Sequence, residues 1–470
     1  MTKLPISLGP MLTEEQARAI FRQGEEAVVF ALLQQSKTIA EMQQQSPGNS
    51  PSTPSGMKPA YEKPSAKKRS KRLGRKNGHP GSRRPPPERI DRRVEHRLKR
   101  CPHCGTLVKK CNRTRTRYIE DIPEDLKAEV TEHTIHRDWC PKCKKGVEPV
   151  VTDALPNCAL GNRVLVLTAW LHYALGNTLS QIIEVFNFHL PIKLTAGGLI
   201  DQWRRLTGIL EPWYKQIRQE GNGSAVLHAD ETSWRVDGKT HWLWCFAADD
   251  LTYFMIDRCR GSPALLKFFT REFQGTLVSD FWGAYNKVLC ARRQLCLVHL
   301  LRDFLTVEQY KRPGKHWPEF AKKTRRLIHD AIRLGKRDDL SAGEFASRRR
   351  RLDVRLQELI DSPWEDSQAR RLIKRLRRHQ NQLFTFLDQA DVPFDNNHGE
   401  RSIRPAVIMR KNSYCNRSVN GAHTQAVLMS IYRTLKQRGH DPIGTVTKAL
   451  IEYLKTGNLT PLPSKITANG

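Results

Sequence analysis

No apolar run in the sequence approaches the roughly 18 residues that a membrane-spanning helix needs. The N-terminal stretch also lacks the apolar segment of a secretory signal. A soluble, cytoplasmic protein without membrane partners is therefore expected. Acidic residues are scarce beside basic ones, 48 against 79, which leaves a formal charge of +31. That imbalance points to a polyanionic partner, and a sequence pI near 10.0 agrees with nucleic acid. Charge by itself is silent about fold. Cysteine is sparse and uneven: eleven residues, an odd count, are scattered over 470 positions, which speaks against a disulfide framework. What is present, 39% hydrophobic residues, is enough for several cores, and the length suggests about three domains.

Residues 1–45 read as an N-terminal helix. Thr13 and Gln16 form a capping box, and Val28, Leu32, Gln35, Ile39 and Met42 follow with a spacing near 3.5. This suits either a short coiled coil or a lone amphipathic helix docked on its own protein. Residues 46–96 turn to Ser, Pro, Gly and basic residues and read as a linker. From Lys67 to Arg100 there are 15 basic and 3 acidic residues, 15 − 3 = +12. Lys67, Lys68, Arg69, Lys71 and Arg72 make this a candidate phosphate-tracking arm, with a solvated tether as the plain alternative.

Residues 97–150 carry two C-x-x-C knuckles, "CPHCG" at Cys101 to Gly105 and "CPKC" at Cys140 to Cys143. Four thiolates suit one closed, structural zinc site, and short strands between the knuckles would make a zinc ribbon. Redox chemistry is the rival reading, and Cys111, His133 and His136 are possible substitute ligands. Residues 155–220 are helical throughout. Within them Leu179 to Asn187, a turn around Pro191, and Thr195 to Leu206 resemble a helix-turn-helix, or else an ordinary helical pair.

Residues 222–412 change to the period of strands. "AVLHADETSWRV" reads as a strand ending in acids, and "THWLWCFAADDLTYFMIDRCRG" as a hairpin turning at Asp249 and Asp250. "SPALLKFF" reads as a helix, "GTLVSDFWGAYN" as a strand ending in an acid, and "QLCLVHLLRDFL" as a strand running into a helix. Three strands in meander followed by alternating helix and strand is the order of a ribonuclease-H-like fold, a mixed α/β core. Asp230 and Asp280 each close an apolar run and could stand side by side, whereas Glu231 should point to the opposite face. Two adjacent carboxylates in a low-dielectric site repel unless a cation intervenes, and magnesium is the hard ion that suits them. A third carboxylate would complete a clamp for two magnesium ions.

The candidate third acid is Glu400, in "VPFDNNHGERSIRP" from Val392 to Pro405. Here Asp395 and Asn396 look like helix caps. Its plain reading is a first-turn acid facing the helix dipole or pairing with Arg404. Arg401, Arg404, Arg410 and Lys411 flank it and could hold phosphate or pair with local acids. His299 in "CLVH" could position substrate or be a buried structural histidine; the nearby Cys296 lacks partners for a zinc site. Between about residues 300 and 390 a basic, helical insertion interrupts the sheet domain. It could be a solvated bundle or a DNA-bearing surface. Residues 413–470 form a C-terminal helical region. The chain as a whole is expected to be α+β and multidomain.

With "HADET", "SDFWGAY", "CLVH" and "NNHGERSIRP…RKN" in this order, the chain resembles a DDE transposase of the insertion-sequence-66 family. The resemblance runs from about Gly78 to the C-terminus and includes "GHPG" and the tail "SIYRTLKQRGHDPIGTVTKALIEYL". It implies that Asp230, Asp280 and Glu400 form the catalytic triad, with a ribonuclease-H-like core, magnesium, and action on the inverted-repeat ends of a mobile element. It also implies small accessory proteins encoded beside the transposase. A homo-oligomer on DNA, associated with the nucleoid, is expected. A ribonuclease-H-like nuclease or junction resolvase would share the triad without joining strands. A zinc-ribbon DNA-binding repressor would share the charge but needs no acids at strand ends.

Overall fold

A computed structural model of the chain describes residues 18, 21, 22, 24, 28, 29, 87–96, 98–108, 116–119, 128–311 and 313–467. The basic arm with Lys67, Lys68, Arg69, Lys71 and Arg72, most of the expected N-terminal helix, and Cys111 lie outside the described residues.

A small antiparallel hairpin, β1 (Asp138–Cys140) and β2 (Lys145–Val147), encloses the second cysteine knuckle. Three helices follow: α1 (Asn162–Tyr173), α2 (Leu179–His189) and α3 (Ala196–Asn222). A reciprocal capping box between Thr178 and Gln181 starts α2, and the Thr195 hydroxyl caps α3. The expected second helix of a helix-turn-helix, ending near Leu206, is corrected here. It runs on to Asn222 because Leu199, Trp203, Leu206, Leu210, Trp213 and Ile217 keep one apolar stripe buried along its whole length.

The central sheet has the order β5-β4-β3-β6-β7. Strands β3 (Val226–Val236), β4 (Lys239–Ala247) and β5 (Thr252–Asp257) form the antiparallel meander. Asp237 and Gly238, both with positive φ, close the β3–β4 turn, the backbone that an Asp-Gly pair favours in a two-residue hairpin. Helix α4 (Ser262–Phe268), begun by Ser-Pro, leads into β6 (Phe273–Ser279), which runs parallel to β3. A short 3₁₀ turn at Gly283–Lys287 then connects to β7 (Cys290–Leu295), parallel to β6. That last strand begins earlier than its apolar residues suggest. Its N-terminal half is a polar edge, and the strand runs into a helix, as expected, at Leu297.

The insertion comprises α5 (Leu297–Tyr310), α6 (Trp317–Leu334), α7 (Ala342–Asp361), α8 (Ser367–His379) and the short α9 (Thr385–Asp388). It builds its own hydrophobic core around Phe304, Trp317, Phe320 and Leu372, joined to the sheet through Val278. The chain returns as α10 (Asn397–Ser413), α11 (Val419–Gln437) and α12 (Pro442–Thr456). Helix α10 packs across β3 and β4, and α11 lies against β5 and α3. Helices α1 to α3, the sheet and α10 to α12 share one continuous core, in which Trp203, Trp213, Trp234 and Trp244 are fully buried. Among the described residues no helix is long and apolar enough to cross a membrane.

Candidate active site

Parallel pairing of β3 with β6 sets Val226 beside Thr276 and His228 beside Val278. Two residues further along each chain come Asp230 and Asp280, so the two acids stand level and with the same parity. Asp280 follows the last residue of β6, as expected. Asp230 does not end its strand. β3 continues to Val236 because the alternation of "DETSWRV" still pairs with β4, and only the partnership with β6 stops at His228. The first acid therefore sits where the sheet opens rather than where a strand finishes.

Both carboxyls are held well above the usual carboxylate range, mainly by burial. For Asp230 the neighbouring charges of Glu231, Asp280 and Glu400 add to the effect. For Asp280 the next contribution is Glu231. Asp280 is further fixed by accepting the backbone N–H of Trp282 at 2.8 Å. Glu231, Asp280 and Glu400 are thus near enough to Asp230 to oppose its ionisation, the condition under which a divalent cation is the favoured neutraliser.

Glu400 lies in the first turn of α10. It does not pair with Arg404. Its Oε1 accepts from Arg302 Nη1 at 3.1 Å, with His299 Nε2 at 3.7 Å, both from α5 of the insertion. Asn396 holds the N-cap position but makes no side-chain capping bond there, which corrects its expected role. Its buried amide crosses to the sheet instead: Nδ2 donates to Ala229 O at 2.9 Å and Oδ1 accepts from His228 Nδ1 at 2.9 Å. The backbone N–H of Asn396 donates to Cys296 Sγ, and its carbonyl accepts from Glu400 N. One residue therefore ties the strand bearing Asp230 to the helix bearing Glu400. Asp395 does act locally, accepting from Asn397 N. Burial pushes His228 down to about 4, so this histidine is a neutral strut, and it pushes Cys296 up to about 12, an inert thiol.

Glu231 is buried, with a side chain only 1% exposed, and paired. Its Oε1 accepts from Arg260 Nη2 and Nε at 3.0 and 3.2 Å, and its Oε2 accepts from the Tyr285 hydroxyl at 2.6 Å. The Arg260 guanidinium lies between the rings of Trp242 and Trp282, 4.5 and 3.9 Å from their centroids. Sequence reasoning missed this brace, together with Arg302 and the role of Asn396. The only local hint was that His299 and Arg302 are three apart and so share one helix face.

Arg410, a candidate phosphate contact, is engaged with the sheet through Nη1. It is half-buried and donates to Thr232 Oγ1 at 3.0 Å and Ser233 Oγ at 2.8 Å, which locks α10 to β3. Arg401, Arg404 and Lys411 remain exposed along the same helix. Asp249 and Asp250 sit in the β4–β5 turn, as expected.

Among the described residues no three His, Cys, Asp or Glu side chains converge closely enough to grip a metal ion. The triad's donor chemistry fits magnesium, but Glu400 is turned toward Arg302. The four-thiolate zinc cluster is likewise not assembled. Cys101 and Cys104 form one local knuckle, with Cys101 N donating to Thr106 O and Gly105 N to Cys101 O. Cys140 and Cys143 form another, in which Cys143 N donates to Cys140 Sγ at 3.4 Å. Hydrogen bonds, from Thr106 first for Cys104 and from the Cys143 backbone first for Cys140, lower both thiols, the bias a thiolate ligand requires.

The chain is 26% identical over 293 residues to the uncharacterized protein y4qI of Sinorhizobium fredii (strain NBRC 101917 / NGR234), covering 54% of this chain and 53% of that one. It is 26% identical over 419 residues to the uncharacterized protein y4jD of the same organism, covering 79% and 78%. It thus spans about half the length of the first relative and more than three quarters of the second. Residues 157–424, which include the sheet, the insertion and all three acids, match the family described as Transposase IS66 family. The chain belongs to the IS66 transposase family.

Proposed function

We propose that this transposase cuts DNA at the ends of its insertion sequence and joins the freed 3′ ends to target DNA, with Asp230, Asp280 and Glu400 as the catalytic carboxylates. The observation that carries this reading is the level placement of Asp230 and Asp280 on adjacent parallel strands, with Glu400 near enough to raise the pKa of Asp230. The strand order, a three-stranded meander flanked by two parallel strands, supports a ribonuclease-H-like core. Two bound magnesium ions would activate the attacking oxygen and stabilise the leaving one. The three carboxylates would hold them, Asp230 and Asp280 from the sheet and Glu400 from the first turn of α10. Arg401, Arg404 and Lys411 would contact phosphates flanking the scissile bond, and His299 would orient Glu400. A zinc ribbon closed by Cys101, Cys104, Cys140 and Cys143 would serve recognition of element ends. Assembly of copies on DNA, with accessory proteins of the same element, completes the reading, and such a protein would work on the nucleoid.

The test is magnesium-dependent cleavage of an element-end duplex, followed by joining of a 3′-hydroxyl end to plasmid DNA. Asp230→Asn, Asp280→Asn and Glu400→Gln should each lower cleavage by orders of magnitude while DNA binding persists. Combined substitutions should add little, because groups acting as a unit are non-additive. Near wild-type cutting by Glu400→Gln would remove that residue from the site. Cutting without joining would make the protein a nuclease, and binding without either would make it a repressor.

A further inference from the structure

The insertion carries a feature that the carboxylate site does not use. Helices α6 and α7 pack side by side, and the seam between them opens into a furrow of about 820 Å³. Its floor is the buried leucines Leu327, Leu334, Leu352 and Leu359. Its rims are arginine: Arg326, Arg333 and Arg337 on one side, and Arg348, Arg351 and Arg355 on the other. With Lys323 the lining has seven basic residues against two acidic ones, Asp330 and Glu358, and 7 − 2 = +5. Asp330 is engaged by Arg355 at 2.9 Å, Arg333 at 3.5 Å and Arg326 at 4.0 Å, and outside the lining Glu319 pairs with Lys323 and Asp339 with Arg337, so part of the rim charge is offset and Arg348 and Arg351 carry most of the remainder. Arg349, between two lining residues, turns away to Asp353 and Asp388 and takes no part.

We infer that this furrow is a binding site for one sugar–phosphate strand of DNA, separate from the carboxylates and blind to sequence. The guanidinium fork suits phosphate oxygens, and six of the seven basic groups are arginines. From Lys323 to Arg333 the rim spans ten residues of helix, about 15 Å. Along one backbone successive phosphates lie about twice as far apart as the roughly 3.4 Å rise per phosphate of a duplex axis, so the rim spans about two to three phosphates. Two helices packed at an interaxial distance of about 8–10 Å leave room between their rims for a single backbone but not for a duplex. The lining holds no asparagine or glutamine for adenine, and Ser362 is its one neutral polar side chain. The inference rests on the transposase reading only in taking DNA as the polyanion.

The test is the salt dependence of binding of the full-length protein to a random-sequence duplex, read by fluorescence anisotropy. Replacing Arg326, Arg333, Arg348 and Arg351 by alanine should flatten the slope of log K against log salt by about 0.9 for each phosphate no longer neutralised, up to about 2.7 for three phosphates. The control removes the same charge from exposed positions outside the furrow, Lys322, Arg350, Arg370 and Lys374, and should change the slope far less. Arg348→Ala with Arg351→Ala alone leaves the ion pairs of Asp330 intact, so it secures the result if the fourfold variant melts; it should flatten the slope by up to about 1.8. Equal effects of furrow and control variants, or an unchanged slope, would overturn the furrow while leaving the transposase reading in place. A wild-type protein that binds no DNA would overturn both.

Discussion

Substituting Glu231 by glutamine tests the buried brace behind the two sheet acids. The change keeps size and one carbonyl oxygen but removes the counter-charge of Arg260, a guanidinium whose side chain is 18% exposed. Removing one partner of a buried pair typically costs about 3–5 kcal/mol where the other charge is left uncompensated, and here Asp280 still acts on Arg260. Two further features of this site reduce that figure. Trp242 and Trp282 continue to face the guanidinium, and each ring offsets about 0.5–2 kcal/mol of its isolation. The lost negative charge is also the one that, after burial, does most to raise Asp230 and Asp280, so both acids are relieved. The expected loss is therefore below that range, about 1–2 kcal/mol, read as a lower urea midpoint of the full chain in chelator. Replacing Glu231 and Arg260 together by methionine should cost less than either single change. The same relief lowers the pKa of both sheet acids, so the acid limb of magnesium-dependent cleavage should move to lower pH. A Glu231→Gln protein within about 0.5 kcal/mol of wild type, with an unmoved pH profile, would refute the brace.

Three further outcomes are expected. Asp230 has a folded pKa above its unfolded value, so its contribution is fully present below about pH 4 and is lost as pH rises through the folded pKa. In chelator, the stability difference between Asp230→Asn and wild type should therefore grow as pH rises above about 4, and a constant difference would contradict it. Asn396→Ala strands His228 Nδ1 and Ala229 O in a buried site and should cost about 3 kcal/mol, at about 1–3 for each unsatisfied group. An unchanged urea midpoint would deny it the tie between strand and helix. Purified protein should carry about one zinc per chain by metal analysis, lost when Cys101 and Cys104 become serine; an intact protein without zinc would end that reading.

The parts of the fold legible in the sequence are those fixed by local pattern. Strand-forming composition marked β3 and β4, an apolar run ending at Asp280 marked β6, and the Ser-Pro start marked α4. What escaped was set by partners far along the chain. Nothing local in "DETSWRV" says that β6 stops pairing at His228 while β4 continues, yet that places Asp230. The polar start of β7, "CARRQL", reads as loop until a parallel neighbour fills its hydrogen bonds. Asn396 carries the composition of a cap, and only the approach of β3, 167 positions away, diverts its amide. Arg410 reads as a free cation until Thr232 and Ser233 accept its protons. The neighbourhood of Asp230 and Asp280 was legible because each follows an apolar run; their supports were not, because many residue types can brace a carboxylate.

Arg302 is the support whose removal separates structure from mechanism. It reaches Glu400 from α5, and α5 is anchored in the insertion's own core by Leu300 and Phe304 and by the buried pair of Asp303 with Arg375. The two sheet acids are fixed by strand register, whereas the third is held by a side chain from a different hydrophobic unit. With Arg302 51% and Glu400 28% exposed, the pair contributes only about 0–1 kcal/mol to folding, so Arg302→Ala should barely move the urea midpoint. Its effect should appear in cation affinity. A carboxylate paired with a guanidinium must leave it to join Asp230 and Asp280, and releasing an ion pair of about 1 kcal/mol should lower half-saturating magnesium for cleavage about fivefold. Arg302→Lys keeps the charge and should keep the wild-type requirement. If Arg302 instead holds substrate phosphate, Arg302→Ala should raise KM for the element-end duplex and leave the magnesium requirement unmoved, and the competition between guanidinium and cation would be refuted.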